Sequence, residues 1–166
     1  MLRPVLLTAA LCLVGCRSSE DQGLDFGDDL TGAPLEALVN ARTLELFALD
    51  PAWPTEESRA DPNTFHGYGV RGHAPLADPA QVADLLRAFA KGARENDEMA
   101  AACFDPRHGI RAEWNGATYD WIICFECMTY QIWSGADHLD NQLLSESPRG
   151  TFDRIYQGLG LTIAPR

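Results

Sequence analysis

The dipeptide Asn115-Gly116 separates two runs of alternating side chains, and no other short feature constrains the fold of this chain as tightly. A two-residue turn between right-twisted strands needs positive φ at both central positions, which Asn and Gly reach at least cost. The turn also sets the register, so that residues whose numbers sum to 231 face each other. Tyr119, Trp121, Ile123 and Phe125 then share a face with Ala112, Ile110 and His108, and that face is assigned to the core. The opposite face carries Thr118, Asp120, Ile122 and Cys124 with Glu113 and Arg111. Asp120 opposite Arg111 reads as an exposed ion pair worth at most about 1 kcal/mol.

Two helices flank the hairpin in sequence. Asp78, Pro79 and Gln81 form a helix start with a capping residue, a proline at the first helical position and a capping-box partner. Val82, Leu85, Leu86, Phe89 and Ala93 follow as one apolar stripe. Ser147-Pro148 opens the second helix, Phe152, Ile155, Tyr156 and Leu159 supply its stripe, and Gly158 and Gly160 end it. Upstream, Leu35, Leu38 and Val39 suggest a short helix, and Thr43 to Leu49 alternates as a strand. Prolines 51, 54 and 62 mark a surface loop, and Phe65 to Gly72 reads as a second strand. Gly67, Gly69 and Gly72 have the GxGxxG spacing of a dinucleotide loop, but Pro75 and Pro79 follow where a helix would have to open, so strand glycines explain them better. The order gives an α+β fold, an antiparallel sheet containing the central Asn-Gly hairpin with two main helices packed on one face.

The N-terminus carries an address. Met1 to Pro4 hold one positive charge, and an apolar run from Val5 to Val14 follows. Ten such residues span about 15 Å as a helix, roughly half a hydrocarbon core, too short for a transmembrane anchor. The run ends in Leu13-Val14-Gly15-Cys16, which resembles the lipobox at which bacteria attach diacylglycerol to cysteine and cleave ahead of it. Residues 1–15 are therefore expected to be a lipoprotein signal peptide and Cys16 the lipidated first residue of the mature chain. Two or three acyl chains hold a protein at a membrane without a spanning segment. Arg17, rather than Asp, after the cysteine resembles the signal for the outer membrane in two-membrane bacteria, placing the domain in the periplasm.

From Arg17 to Pro34 the chain is rich in Ser, Gly and Asp and shows no apolar period, so residues 16–34 are expected to form a disordered acidic tether. Its average reach is about 24 Å and its extended limit about 60 Å. Residues 35–166 then make one domain. The formal net charge is −11, and loss of Arg3 with the signal makes the mature chain more acidic still. Nucleic acid is excluded as a partner, because phosphate binding needs a basic footprint. The expected partners are the membrane, through the lipid, and an envelope protein.

With Cys12 removed and Cys16 lipidated, three cysteines remain in an oxidising compartment: Cys103, Cys124 and Cys127. An odd number leaves either one disulfide with one thiol, or a site with a further ligand. Cys124 and Cys127 have CxxC spacing, but three residues of strand would hold their α-carbons about 10 Å apart, beyond disulfide reach. A direct bond requires the strand to end or bulge at Glu126, and Cys103 paired with Cys124 or Cys127 is the expected alternative. Cys103, His108, Cys124 and Cys127 have the residue types of a Cys3His zinc site, although the register puts His108 and Cys124 on opposite faces. No zinc or other cofactor is expected in the leading reading, in which the cysteines are structural and His108 is a hydrogen-bonded core residue. His66, His73 and His138 show no partner spacing beyond Asp137 and Asp140, which read as a polar loop. No GxSxG, HExxH, P-loop or paired-carboxylate pattern is present.

The stretch Cys103-Phe-Asp-Pro-Arg-His-Gly-Ile-Arg111, followed by a hairpin and Ile122-Ile-Cys-Phe-Glu-Cys127, resembles a family of secreted bacterial proteins, several of them lipoproteins, with no established activity. The resemblance spans roughly Val39 to Gly160 and implies a shared domain without a mechanism. The expected function is a membrane-anchored envelope lipoprotein whose domain binds or supports another component without catalysis. Two alternatives stay open, a thiol-redox or zinc domain using Cys103, His108, Cys124 and Cys127, and an enzyme of unrecognised type.

Overall fold

The structure, a computed structural model, describes residues 24–27, 30–97 and 99–166. The expected signal peptide and Cys16 lie outside the described residues. Chain order runs α1 (Gly32–Asn40), β1 (Leu44–Leu49), α2 (Glu56–Ala60), β2 (Val70–Leu76), α3 (Pro79–Arg94), β3 (His108–Trp114), β4 (Ala117–Cys124), β5 (Thr129–Ser134), β6 (Asp137–Leu143) and α4 (Arg149–Gly158). The fold is α+β. Its six strands form one sheet in the order β2-β1-β3-β4-β5-β6, and every neighbouring pair is antiparallel.

Strand periodicity sorts the side chains onto two faces. On one, Leu44, Leu46, Ala48, Ile110, Ala112, Trp121, Ile123, Tyr130 and Ile132 meet Leu38 of α1, Leu85, Leu86 and Phe89 of α3, and Phe152 and Tyr156 of α4. Helix α3 starts as its sequence dictates, with the Asp78 carboxylate accepting from the Ala80 N–H at 2.8 Å and Pro79 at the first helical position. Its apolar stripe is the buried one, and Phe89 stands edge-on to Tyr130 and Phe152. On the other face a smaller cluster, Phe47, Leu49, Phe65, Tyr68 and Ile122 with Phe104 and Trp133, is roofed by the segment between β1 and β2.

Three features depart from the sequence reading. The expected tether is packed at its end: Leu24, Phe26 and Leu30 are buried, and Phe26 meets the Phe89 ring edge-on at 5.7 Å. Burial of these three apolar side chains removes surface from water in a stretch whose composition reads as disordered, and of the three it is Phe26 that meets α3. The second strand occupies Val70–Leu76 rather than residues 65–72, and Phe65 to Tyr68 instead makes a tight bridged turn with His66 at φ 54° and Gly67 at φ 89°. As an edge strand, β2 tolerates Pro75, whose missing N–H breaks no ladder. Finally, Asp137, His138 and Asp140 belong to β6 rather than to a loop. That strand is polar and mostly exposed, so it lacks the alternation by which a strand is recognised.

Candidate functional site

Strand β4 ends at Cys124, and Phe125 to Met128 turn the chain into β5, with Met128 at φ 55°. The turn carries Phe125 to the helical face, where its ring meets His108 and Phe152. It also brings the α-carbons of Cys124 and Cys127 to 5.2 Å, and the two are joined as a disulfide. The expected bond from Cys103 is thus replaced by the short one, because the strand stops before the three residues can extend. Both bonded sulfurs are fully buried.

Cys103 is the free thiol among the described residues, and it is exposed. Its Sγ lies 3.2 Å from Cys127 Sγ. The approach is fixed by neighbours on either side: the Ala101 N–H donates to the Cys127 carbonyl at 3.1 Å, and the Asp105 N–H donates to Cys127 Sγ at 3.3 Å. Phe104 packs into the smaller apolar cluster between them. The partner sulfur is equally well placed, since the Cys127 N–H donates to Cys124 Sγ at 3.1 Å. Each sulfur of the disulfide therefore faces a backbone donor able to stabilise a thiolate left on it.

The segment following Cys103 ties this cluster to the rest of the domain. Arg107 donates to the Asp105 carbonyl, to Glu126 Oε2 at 3.1 Å and to the Pro165 carbonyl through two nitrogens. Glu126, inside the disulfide loop, also pairs with Arg149 at 3.3 Å and Arg166 at 3.4 Å. The loop is held by three guanidinium groups from three parts of the chain. Tyr68, whose ring meets Phe104, is no base for the thiol, because burial, the largest influence on it, pushes its hydroxyl up to about 12.

His108 stands apart from the sulfurs. Its Nε2 is 2.9 Å from Asp153 Oδ1 of α4, and its ring is packed among Phe125, Phe152 and Tyr156 on the helical face. Burial lowers its basicity more than the Asp153 hydrogen bond and the nearby carboxylates raise it, so it favours the neutral imidazole. The four residues of the Cys3His set do not form one ligand sphere: two sulfurs are bonded to each other and the imidazole lies across the sheet. Among the described residues no three of His, Cys, Asp and Glu converge as metal ligands.

A second polar cluster, not evident from sequence spacing, lies on the cysteine side of the sheet. Asp120 is fully buried and accepts from Arg111 Nε at 2.8 Å and Arg111 Nη2 at 2.7 Å, with His66 Nε2 at 2.7 Å. His66 stacks on Trp133 at 4.4 Å, and the Arg111 guanidinium lies over the rings of Phe47 and Phe65. The pair read as an exposed ion pair is instead half of a buried network. Only its register was visible, because burial comes from the β1–β2 segment folding over it.

Fold and site together define an α+β domain with a three-sulfur cluster at the end of one β-hairpin. Compared with protein-family models, curated proteins and solved structures, the chain matches none.

Proposed function

We propose that this chain is a lipid-anchored protein of the bacterial envelope whose domain carries out thiol–disulfide exchange through Cys103, Cys127 and Cys124. The observation that carries the exchange reading is the 3.2 Å approach of the Cys103 thiol to Cys127. That separation is within the range of a near-attack contact. Exchange needs a thiolate, a disulfide sulfur within reach and a stabilised leaving group. Attack of the Cys103 thiolate on Cys127 forms a Cys103–Cys127 bond and releases the Cys124 thiolate onto the waiting Cys127 N–H. The fold supports the reading, since the Asn115–Gly116 hairpin presents the sulfurs at its far end while the two main helices cover the opposite face.

The test is a single turnover. Reduced mature protein mixed with a model disulfide should consume it and yield one equivalent of Cys124–Cys127 bond, faster than free cysteine does at the same pH. A rate no greater than that of free cysteine overturns the proposal.

The anchor rests on Leu13-Val14-Gly15-Cys16 and is tested separately. Cys16→Ser should leave the protein unprocessed or in the soluble fraction, and a variant still bound to membranes after a high-salt wash contradicts it.

A second reading is favoured by the complete burial of Cys124 and Cys127. In it the disulfide is a structural staple in a non-enzymatic binding domain with an envelope protein as partner, and Cys103 is a bystander. The single-turnover rate separates the two.

A further inference from the structure

Resting on the exchange reading, we infer that the three sulfurs act in a fixed order, with Cys103 as entry and Cys124 as terminus, and that the substrate is a polypeptide disulfide flanked by apolar residues. The order follows from exposure. Cys103 is open to solvent, whereas Cys124 and Cys127 are fully buried. An incoming disulfide R–S–S–R′ therefore meets Cys103 first. The Cys103 thiolate forms Cys103–S–S–R and releases R′S⁻. Cys127, 3.2 Å away, then attacks the Cys103 sulfur, forming Cys103–Cys127 and releasing RS⁻. Cys124 next attacks Cys127, closing the buried disulfide and returning Cys103 as a thiolate. The substrate gains two electrons and two protons, and the Cys124/Cys127 dithiol loses them. Run backwards, the same steps oxidise a substrate dithiol.

The substrate class follows from what borders the entry thiol. Met99 is 59% exposed, and Ala100, Ala101 and Ala102 are exposed after it, so an uncharged run leads directly to Cys103. In sequence Asp97 and Glu98 precede that run and Asp105 follows Cys103, and the chain as a whole carries a net charge of −11. Glutathione disulfide, an anion at neutral pH, gains nothing from an apolar strip on a chain whose net charge has the same sign. A polypeptide cysteine with apolar neighbours can cover the strip while its sulfur reaches Cys103.

The experiment uses the reduced mature protein with two substrates, glutathione disulfide and a disulfide-linked peptide whose cysteines are flanked by Leu and Phe, quenched in acid and read by intact mass. The peptide should react about tenfold faster than glutathione disulfide, and Met99→Asp should shrink that ratio. Cys127→Ser, lacking the resolving sulfur, should accumulate the mixed disulfide at Cys103, and Cys103→Ser should form none. Equal rates, or a faster reaction with glutathione disulfide, overturn the substrate class while leaving exchange intact. A mixed disulfide at Cys124 or Cys127 in the Cys103→Ser protein overturns the order. No reaction above free cysteine with either substrate overturns the exchange reading itself.

Discussion

His66 Nε2 meets Asp120 Oδ2 at 2.7 Å across 54 positions of the sequence, fastening the segment between β1 and β2 onto the sheet. Burial on its own would raise the Asp120 carboxyl, but the hydrogen bonds from Arg111 and His66, with the Arg111 charge, outweigh it and hold the group below its ordinary value of 3.8. A buried carboxylate with three hydrogen bonds is costly to unmake. Asp120→Ala leaves Arg111 and His66 without their acceptor and should destabilise the domain by about 2 to 4 kcal/mol in urea denaturation, well above the value of an exposed pair. A loss under about 1 kcal/mol would mean that solvent screens the pair as it screens a surface ion pair. A depressed carboxyl contributes stability above its unfolded value, and that contribution is lost as pH falls below 3.8 toward the folded value.

His108 titrates in a different window. The folded domain, chiefly through burial, holds it below its ordinary 6.5, so the unfolded chain takes up a proton that the folded one resists. Stability should therefore decline as pH falls through 6.5, by no more than about 1.4 kcal/mol per pH unit from this group. Asp153, held low first by its hydrogen bond from His108, titrates beneath that window. Replacing His108 with Gln, which keeps a side-chain donor, should flatten the decline between about pH 7 and 5 while costing some stability throughout. Identical pH profiles for the two proteins would remove His108 as the source.

Two glycines test backbone and packing separately. At Gly116, φ is +79° and a Cβ would meet nothing within 4 Å, so Gly116→Val isolates the conformational cost. A β-branched residue there should destabilise by about 1 to 2 kcal/mol with no clash to relieve. An unchanged denaturant midpoint would argue against positive φ at this turn.

Gly92 is the converse. It sits within α3, where a Cβ would overlap Pro148 and come within 2.8 Å of Leu144. The same residue's carbonyl accepts from the Ser145 N–H at 2.9 Å, so the helix cannot simply move away from that chain. Gly92→Ala should gain helix propensity yet lower the melting temperature, because overpacking costs about 1 to 3 kcal/mol against less than 1 from propensity. A higher melting temperature would show that the contact relaxes freely.

What the sequence disclosed depended on whether the cause was local. Asp78 and Pro79 announce α3 because capping is settled within a turn of chain. Arg111 and Asp120 are readable as facing residues because alternation carries that information, but the burial of Asp120 is not, since Phe65 and His66 arrive from elsewhere. The Cys124–Cys127 bond was hidden by the turn from Phe125 to Met128, which contains neither Gly nor Pro and reads as continued strand. His66 gives no signal either, because its partner lies in β4 and its positive φ is imposed by a bridge between Phe65 and Tyr68. Leu24, Phe26 and Leu30 sit in an acidic stretch with no period and are ordered only by contact with the core.

The most direct test of the sulfur chemistry is disulfide connectivity in Cys124→Ser protein, mapped without reduction after air oxidation at neutral pH. With its usual partner gone, Cys127 still has Cys103 at 3.2 Å, within reach of a bond without refolding. A Cys103–Cys127 disulfide should form in most molecules, with the denaturation midpoint of the reduced domain or higher. Two persistent free thiols at Cys103 and Cys127 would contradict it, because an entry thiol that cannot bond to its neighbour cannot pass a disulfide inward.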